Sequence, residues 1–274
     1  MAAFARSGVR PFARSFCNTP TTQLPIISAP SIDVSHPHTH CCAMSHHDTA
    51  KFISFASPKG GVGKSTSCLA IAGALLSAGE KVHIIDFDQT ETIWRWYSTS
   101  PTAQAIPNLT VEKGPIDNLG NFIQELYATA TDYVLLDLAG ALTDLTLMIA
   151  AFATLTITPA KVSEPDIIEA NKMAQKLHAV AARLGKPINH LILLNEVPGI
   201  ISKDEVDLIK QIDDSNLRRF QTLIYRRSAY SKSFSRGTLP HMAEAPDRKA
   251  LKEIDALMNE VRIILEPEQQ KAAA

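Results

Sequence analysis

The sequence predicts a three-layer α/β fold, with a mostly parallel central sheet and helices on both faces. Three observations predict it. Seven short apolar runs, at 52–56, 81–86, 109–112, 133–137, 153–158, 190–195 and 220–225, have the length of strands buried on both sides. Segments of helical period separate most of them, and strands alternating with helices favour parallel pairing. The first run also passes through a glycine-rich turn straight into an apolar helix.

Composition supports a single large core. The chain has 274 residues, 45% of them hydrophobic, which suits one domain of about 220 residues plus a tail. Net charge is −1, so the molecule as a whole is no polyanion binder, and any nucleic-acid contact must come from a local patch. No apolar run approaches the roughly 18 residues of a membrane span. The longest, 147–157, is broken by Thr154 and Thr156. The four cysteines, Cys17, Cys41, Cys42 and Cys68, have neither disulfide nor metal spacing, which points to a reducing compartment.

Residues 1–50 are rich in Ser, Thr, Pro, Ala and His without sustained period, and read as a disordered tail. The folded domain is expected over 51–266, with a short tail at 267–274. Arg6, Arg10 and Arg14 beside Phe4, Phe12 and Phe16 have the composition of an organelle transit peptide, so import is a minor alternative to a cytoplasmic location. His36, His38, His40, Cys41, Cys42, His46 and His47 could bind a metal or be incidental. A domain starting at Met44 would keep every motif, so 1–43 reads as an extension without a folded role.

The chemistry starts at the glycine-rich turn. Lys59-Gly60-Gly61-Val62-Gly63-Lys64-Ser65-Thr66 follows the 52–56 strand and opens a helix through about residue 77. Strand, phosphate loop, helix is the context in which such a string cradles phosphate. The glycines allow positive φ and close backbone approach. Successive N–H groups then form an anion nest at a helix N-terminus. Lys64 would reach the outer phosphates, and Ser65 offers a hydroxyl to Mg²⁺. A plain helix-capping turn would explain the glycines but neither lysine.

Two further strands end in acids. The 81–86 run leads out through Asp86-Phe87-Asp88-Gln89, and strand ends face the phosphate loop in open α/β sheets. The alternative for one of these carboxylates is the N-cap of a helix at 91–97. Tyr133-Val-Leu-Leu-Asp137 has the four-apolar-plus-Asp pattern of a carboxylate that meets magnesium, usually through water. Gly140 follows three residues on, where close approach to phosphate excludes a Cβ.

These residues resemble the ParA/MinD family of partitioning and positioning ATPases. KGGVGKST is that family's deviant phosphate loop, Asp86-Phe-Asp88-Gln89 its Asp-x-Asp-Pro-Gln switch without the proline, and Asp137-Leu-Ala-Gly140 its second switch. Thr158-Pro-Ala-Lys-Val-Ser-Glu-Pro-Asp-Ile resembles its Pro-x-x-x-[ST]-x-x-Asp segment, ahead of a long helix at 164–184. The resemblance, over 52 to about 265, implies a P-loop NTPase fold and a Mg²⁺-dependent ATPase that dimerises on ATP. It implies that Gly60, Gly61, Val62, Gly63, Lys64, Ser65, Thr66 and Gly140 bind ATP. Ser65, Asp86 and Asp137 would hold the magnesium shell, Asp88 would orient the attacking water, and Lys59 would reach the partner's phosphates. Asn195 could read the adenine edge, since its amide both donates and accepts, or could be a turn residue.

The segment after 220–225 is basic: Arg226, Arg227, Lys232 and Arg236, then Arg248, Lys249 and Lys252. In partition ATPases such residues bind DNA backbone without sequence preference. The resemblance puts Arg226, Arg227, Arg248, Lys249 and Lys252 in that role, against the alternative of a solvated helix face. The final helix, 250–265, has mixed charge and lacks the cationic amphipathic character of a membrane anchor. Partitioning of plasmid or chromosomal DNA, with a ParB-like or other cargo adaptor stimulating hydrolysis at the nucleoid, is the first functional expectation. A conjugative DNA-transfer adaptor of the VirC kind and a protein-cargo positioning ATPase are the alternatives. A metal-cluster carrier would need paired cysteines, and Cys68 is alone in the folded part.

Overall fold

The structure is a computed structural model describing residues 50–115, 119–127 and 131–266. Both expected tails, with their arginine and histidine clusters, lie outside the described residues, Ala50 excepted.

Six parallel strands form one sheet: β1 (Lys51–Phe55), β2 (Val82–Asp86), β3 (Leu109–Lys113), β4 (Tyr133–Asp137), β5 (Leu155–Ala160) and β6 (His190–Leu194). Their order is β3-β2-β4-β1-β5-β6. The helices are α1 (Lys64–Ser77), α2 (Thr92–Thr99), α3 (Pro101–Gln104), α4 (Leu119–Tyr127), α5 (Asp144–Phe152), α6 (Glu164–Leu184), α7 (Lys203–Asp213), α8 (Ser228–Ser235) and α9 (Arg248–Leu265). Alternate strand residues face opposite layers. Ile53 and Leu135 join Leu75 of α1 and Ile254 of α9 in one core, while their neighbours Phe52 and Val134 join Ile149 of α5 and Met173 of α6 in the other. This is the three-layer fold the sequence predicts.

Register brings the acids together. Asp86 pairs with Asp137 across β2 and β4, and Asp137 with Phe55 across β4 and β1. The carboxyl ends of three neighbouring strands therefore meet where β1 runs into the glycine-rich loop, the place where open α/β sheets bind ligands. Helix α1 is buried over residues 67–76, wedged between the sheet and the α9 layer.

The expected strand at 220–225 is not a seventh ladder strand. It meets the sheet side through two isolated bridges, Ile192 with Arg219 and Val197 with Tyr225, and through the Ile224 N–H to the Leu194 carbonyl, 3.0 Å. Between them the N–H groups of Gln221 and Thr222 turn to the Glu260 carboxylate on α9, both at 2.8 Å. An acid on the last helix thus takes donors that a ladder would have used.

The apolar run at 153–158 stops short of Pro159, yet β5 continues through the proline to Ala160. Pairing with β1 stops at Ile157, while pairing with β6 runs on to Ala160. The Ile157 carbonyl bonds toward β1, so two residues on the missing proline N–H also faces that side, where the ladder has already ended. Helices α5 and α8 are absent from the sequence reading: Thr143 caps α5 at the Thr146 N–H, 3.1 Å, whereas α8 has no side-chain cap and buries Tyr230 and Ser233. Among the described residues no helix is long and apolar enough to cross a membrane.

Candidate functional site

The loop between β1 and α1 is held open. Gly61 and Gly63 have φ of 71° and 93°, the left-handed region that glycine enters freely. The N–H groups of residues 60–66 find no acceptor among the described residues, and the first helical bond comes from the Ser67 N–H to the Gly63 carbonyl, 2.8 Å. Helix N-termini always leave such donors. Here the glycine turn adds more to the same concave stretch, an arrangement suited to an anion.

Lys64 and Gly140 close on this stretch. Lys64 is only 6% exposed. A Cβ on Gly140 would lie 3.2 Å from the Lys64 ammonium and 3.4 Å from the Gly60 nitrogen. The second switch therefore passes against the loop and its lysine, and a side chain at 140 would intrude there.

Ser65 donates its hydroxyl to Asp137 Oδ2 at 2.6 Å. The other oxygen, Oδ1, is buried without a hydrogen-bond partner among the described residues. Burial pushes the Asp137 carboxyl up to about 7, opposed by the Ser65 bond and the Lys64 charge. A buried carboxylate oxygen with no partner, beside a serine hydroxyl at the end of a phosphate loop, is a donor set that fits a hard divalent cation. Ser65 and Asp137 are the residues that would hold Mg²⁺, whose bound charge would neutralise neighbouring phosphate oxygens.

Asp86 and Asp88 do other work in this conformation. Asp86 Oδ2 accepts the N–H groups of Ile93 and Trp94, at 3.0 and 2.9 Å, and Oδ1 that of Asp88, at 3.0 Å. It caps α2 from within the sheet edge. Burial raises its carboxyl, against the pull of those three amides. Asp88 Oδ1 accepts from both the N–H and the hydroxyl of Thr90, at 2.9 and 2.8 Å. Helix capping thus accounts for one of the two acids, Asp86, as expected, while Asp88 holds the turn at Thr90 ahead of the helix. Gln89 is exposed.

Lys59 sits at the rim, and its ammonium lies 3.0 Å from Asp166 Oδ2 of its own chain. Asp166 is buried at the first turn of α6, with the Ser163 hydroxyl on the same oxygen and Oδ1 without a hydrogen-bond partner among the described residues. The sequence motif ending in Asp166 is thus the anchor of the front lysine, a role that sequence reasoning missed although the residue was in view. Asn195, 3% exposed, lies behind the loop. Its Nδ2 donates to the Val62 carbonyl at 3.1 Å, and its Oδ1 accepts the Glu196 N–H at 2.8 Å.

Comparison with known sequences gives the family of the chain. The sequence model described as VirC1 protein matches residues 50–268, most of the chain. The chain belongs to the VirC1 family. Within that family, the virC1 protein of Rhizobium rhizogenes is 24% identical over 210 residues, covering 73% of this chain and 89% of the relative. That of Rhizobium radiobacter is 24% identical over 225 residues, covering 78% and 95%. The fold is shared with ParA/MinD-type P-loop ATPases. A plasmid partition protein of Borrelia burgdorferi B31 bound to AMPPNP superposes with a TM-score of 0.60 at 18% identity, over 77% of this chain and 97% of that one. Apo McdA of Cyanothece gives 0.62 at 18%, over 77% and 99%. MinD of Aquifex aeolicus gives 0.54 at 19%, over 77% and 97%.

In this VirC1-family chain the basic residues expected near the C-terminus divide into two groups. Arg227 is bound through Nε and Nη2 to the Glu253 carboxylate and lies over the Tyr225 ring, its charge held by that partner. Arg226 is exposed, with Glu196 at 3.7 Å. Arg248, Lys249 and Lys252 are exposed on the first turns of α9 and form no ion pair among the described residues. Asp247 caps that helix. Cys68 is free and buried in α1, which makes its thiol a core group.

Proposed function

We propose that the chain is an ATP-hydrolysing switch that acts on DNA. ATP would lie with its outer phosphates against the N–H groups of residues 60–66, with Lys64 as the buried counter-charge. Ser65 and Asp137 would hold the magnesium, and Asp88, whose Oδ2 is not used by Thr90, would orient the attacking water. Two copies would close face to face on ATP. For that, Lys59 must leave Asp166 and reach across to the partner's phosphates. The single observation that carries the reading is the meeting of open amides, a buried lysine and an unpartnered Asp137 oxygen at the carboxyl ends of β1 and β4.

The DNA surface would be Arg248, Lys249 and Lys252 with Arg226. Cations in the first turn of a helix oppose its dipole, so helix stability does not account for Arg248 and Lys249. They are suited to a phosphate backbone and to salt-sensitive, sequence-independent contact. Membership of the VirC1 family favours a conjugative DNA-transfer adaptor over the partition role first expected. Partition of plasmid DNA is the second reading, supported by the fold shared with the Borrelia protein. A stimulating partner and cargo adaptor fit either role.

The test is DNA binding with ATP, with ADP and without nucleotide, at two salt concentrations. The expected result is binding with ATP that weakens steeply with salt. Affinity indifferent to nucleotide would leave a plain DNA-binding module. In the same assays Asp88→Ala should bind ATP and DNA normally while hydrolysis drops about a hundredfold, the usual scale for losing a water-positioning group.

A further inference from the structure

The amide expected to read the adenine edge is already occupied. Reading an adenine edge takes a donor and an acceptor side by side on one accessible rim. Asn195 is 3% exposed, and its amide is turned inward to the protein's own backbone, Nδ2 donating to the Val62 carbonyl and Oδ1 accepting the Glu196 N–H. No such rim is presented to a base.

What this amide does instead follows from peptide geometry. In a trans peptide the C=O and the following N–H point in opposite directions, and the chain has no cis bond among its described residues. Turning the Val62 carbonyl toward Asn195 therefore turns the Gly63 N–H away from it, to the open side of the loop. The approach is close: a Cβ on residue 63 would lie 2.0 Å from Asn195 Nδ2. Glycine at 63 is thus required by the asparagine as well as by its φ of 93°.

The far end of the brace is also fixed. Glu196 is a non-glycine residue at φ 52°, a conformation that costs about 1 kcal/mol and persists only when its surroundings hold it. Three contacts hold it. Its N–H meets Asn195 Oδ1, and its carboxylate lies 3.0 Å from Lys161 and 3.7 Å from Arg226. The strained residue keeps the Asn195 side chain aimed at the loop.

We propose that Asn195 is a positioning residue for the phosphate loop: it locks the Val62–Gly63 peptide so that the Gly63 N–H faces the phosphate, and it does not select the base. This rests on the proposed phosphate site. The test compares binding of Mg–ATP, Mg–GTP and Mg–tripolyphosphate, which has no base, to the full chain and to Asn195→Leu, which keeps volume but has no donor. Asn195→Ser serves where the leucine variant does not fold, and all affinities are taken well below each variant's own unfolding midpoint.

The expected result is a loss of about 10- to 100-fold, equal for the three ligands, because a hydrogen bond aimed at a charged group is lost for each. The Gly63 ¹H–¹⁵N signal should move downfield with Mg–tripolyphosphate in the wild type and stay put in the variants. A loss confined to ATP, with GTP and tripolyphosphate retained, would make Asn195 a base reader and overturn the proposal. Unchanged affinity for all three would overturn it as well. Failure of the unsubstituted chain to bind any of the three would instead sink the phosphate site.

Discussion

The phosphate loop and the segment from Asp86 to Trp94 lie at the carboxyl ends of nearby strands and solve opposite problems. In the loop, the N–H groups of residues 60–66 have no acceptor among the described residues. In the other segment, one buried carboxylate, Asp86, takes three N–H groups at once. Unmade hydrogen bonds cost little where a ligand or water can complete them, and a great deal where the group is sealed in the interior. The first region therefore reads as built to receive an anion, and the second as built to hold its own shape until something competes for its acid.

Substitutions separate the two kinds of site. The largest effect is expected in the loop. Lys64→Ala should weaken Mg–ATP binding at least about a hundredfold, since the buried counter-charge to the phosphates is gone. Isothermal titration measures this, and normal affinity would remove the loop from the account. In the other segment the expected loss is in stability. Asp86→Ala would leave three amides around a buried position without an acceptor, costing about 3–5 kcal/mol in nucleotide-free protein. A urea curve without magnesium or ATP checks it. An unaltered midpoint would mean that Asp86 serves the metal alone.

A third position tests burial far from either region. The His190 ring bonds Thr158 at 2.8 Å, and burial brings it down to about 4, with Arg218 adding to the shift. An unfolded histidine titrates near 6.5. Between those values the unfolded chain binds a proton that the folded chain does not, so stability is full above about pH 6.5 and falls as pH drops toward 4. The loss attributable to this group is about 2–3 kcal/mol. Urea midpoints at a series of pH values should show that slope, and His190→Gln should flatten it.

The smallest effects are at the basic surface, and they sort its residues. Arg248→Ala should reduce DNA affinity about 3- to 10-fold and lessen the salt dependence, with stability nearly unchanged. Arg227→Ala should do the reverse, leaving the salt slope alone and destabilising by about 1–2 kcal/mol, because its guanidinium is half of a pair with Glu253. If both substitutions weakened DNA binding equally, the division between the two groups would fail.

Much of the frame was legible along the chain. Helices α1 and α6 begin and end at the expected residues, and β4 matches its predicted span, because each is bounded by local chemistry: Gly63 before α1, the Ser163 cap and Gly185 around α6, and the acid after four apolar residues in β4. The strand at 220–225 misled because an apolar run reports burial and not hydrogen-bond partners. Glu260, some forty residues downstream, took the donors. Helix α5 was hidden because nearly all of its residues are apolar, so that no period stands out.

The sequence by itself determined the layered fold, the phosphate loop and the acids beside it, since backbone conformation and burial period are written in neighbouring residues. The tertiary structure alone decided which distant groups several of the polar side chains face. Asp166 meeting Lys59, Asn195 meeting Val62 and Glu253 meeting Arg227 join residues 26 to 133 positions apart. Such pairings follow from how loops and helices pack around the sheet, which brings distant groups to about 3 Å of one another, and no local pattern encodes that proximity.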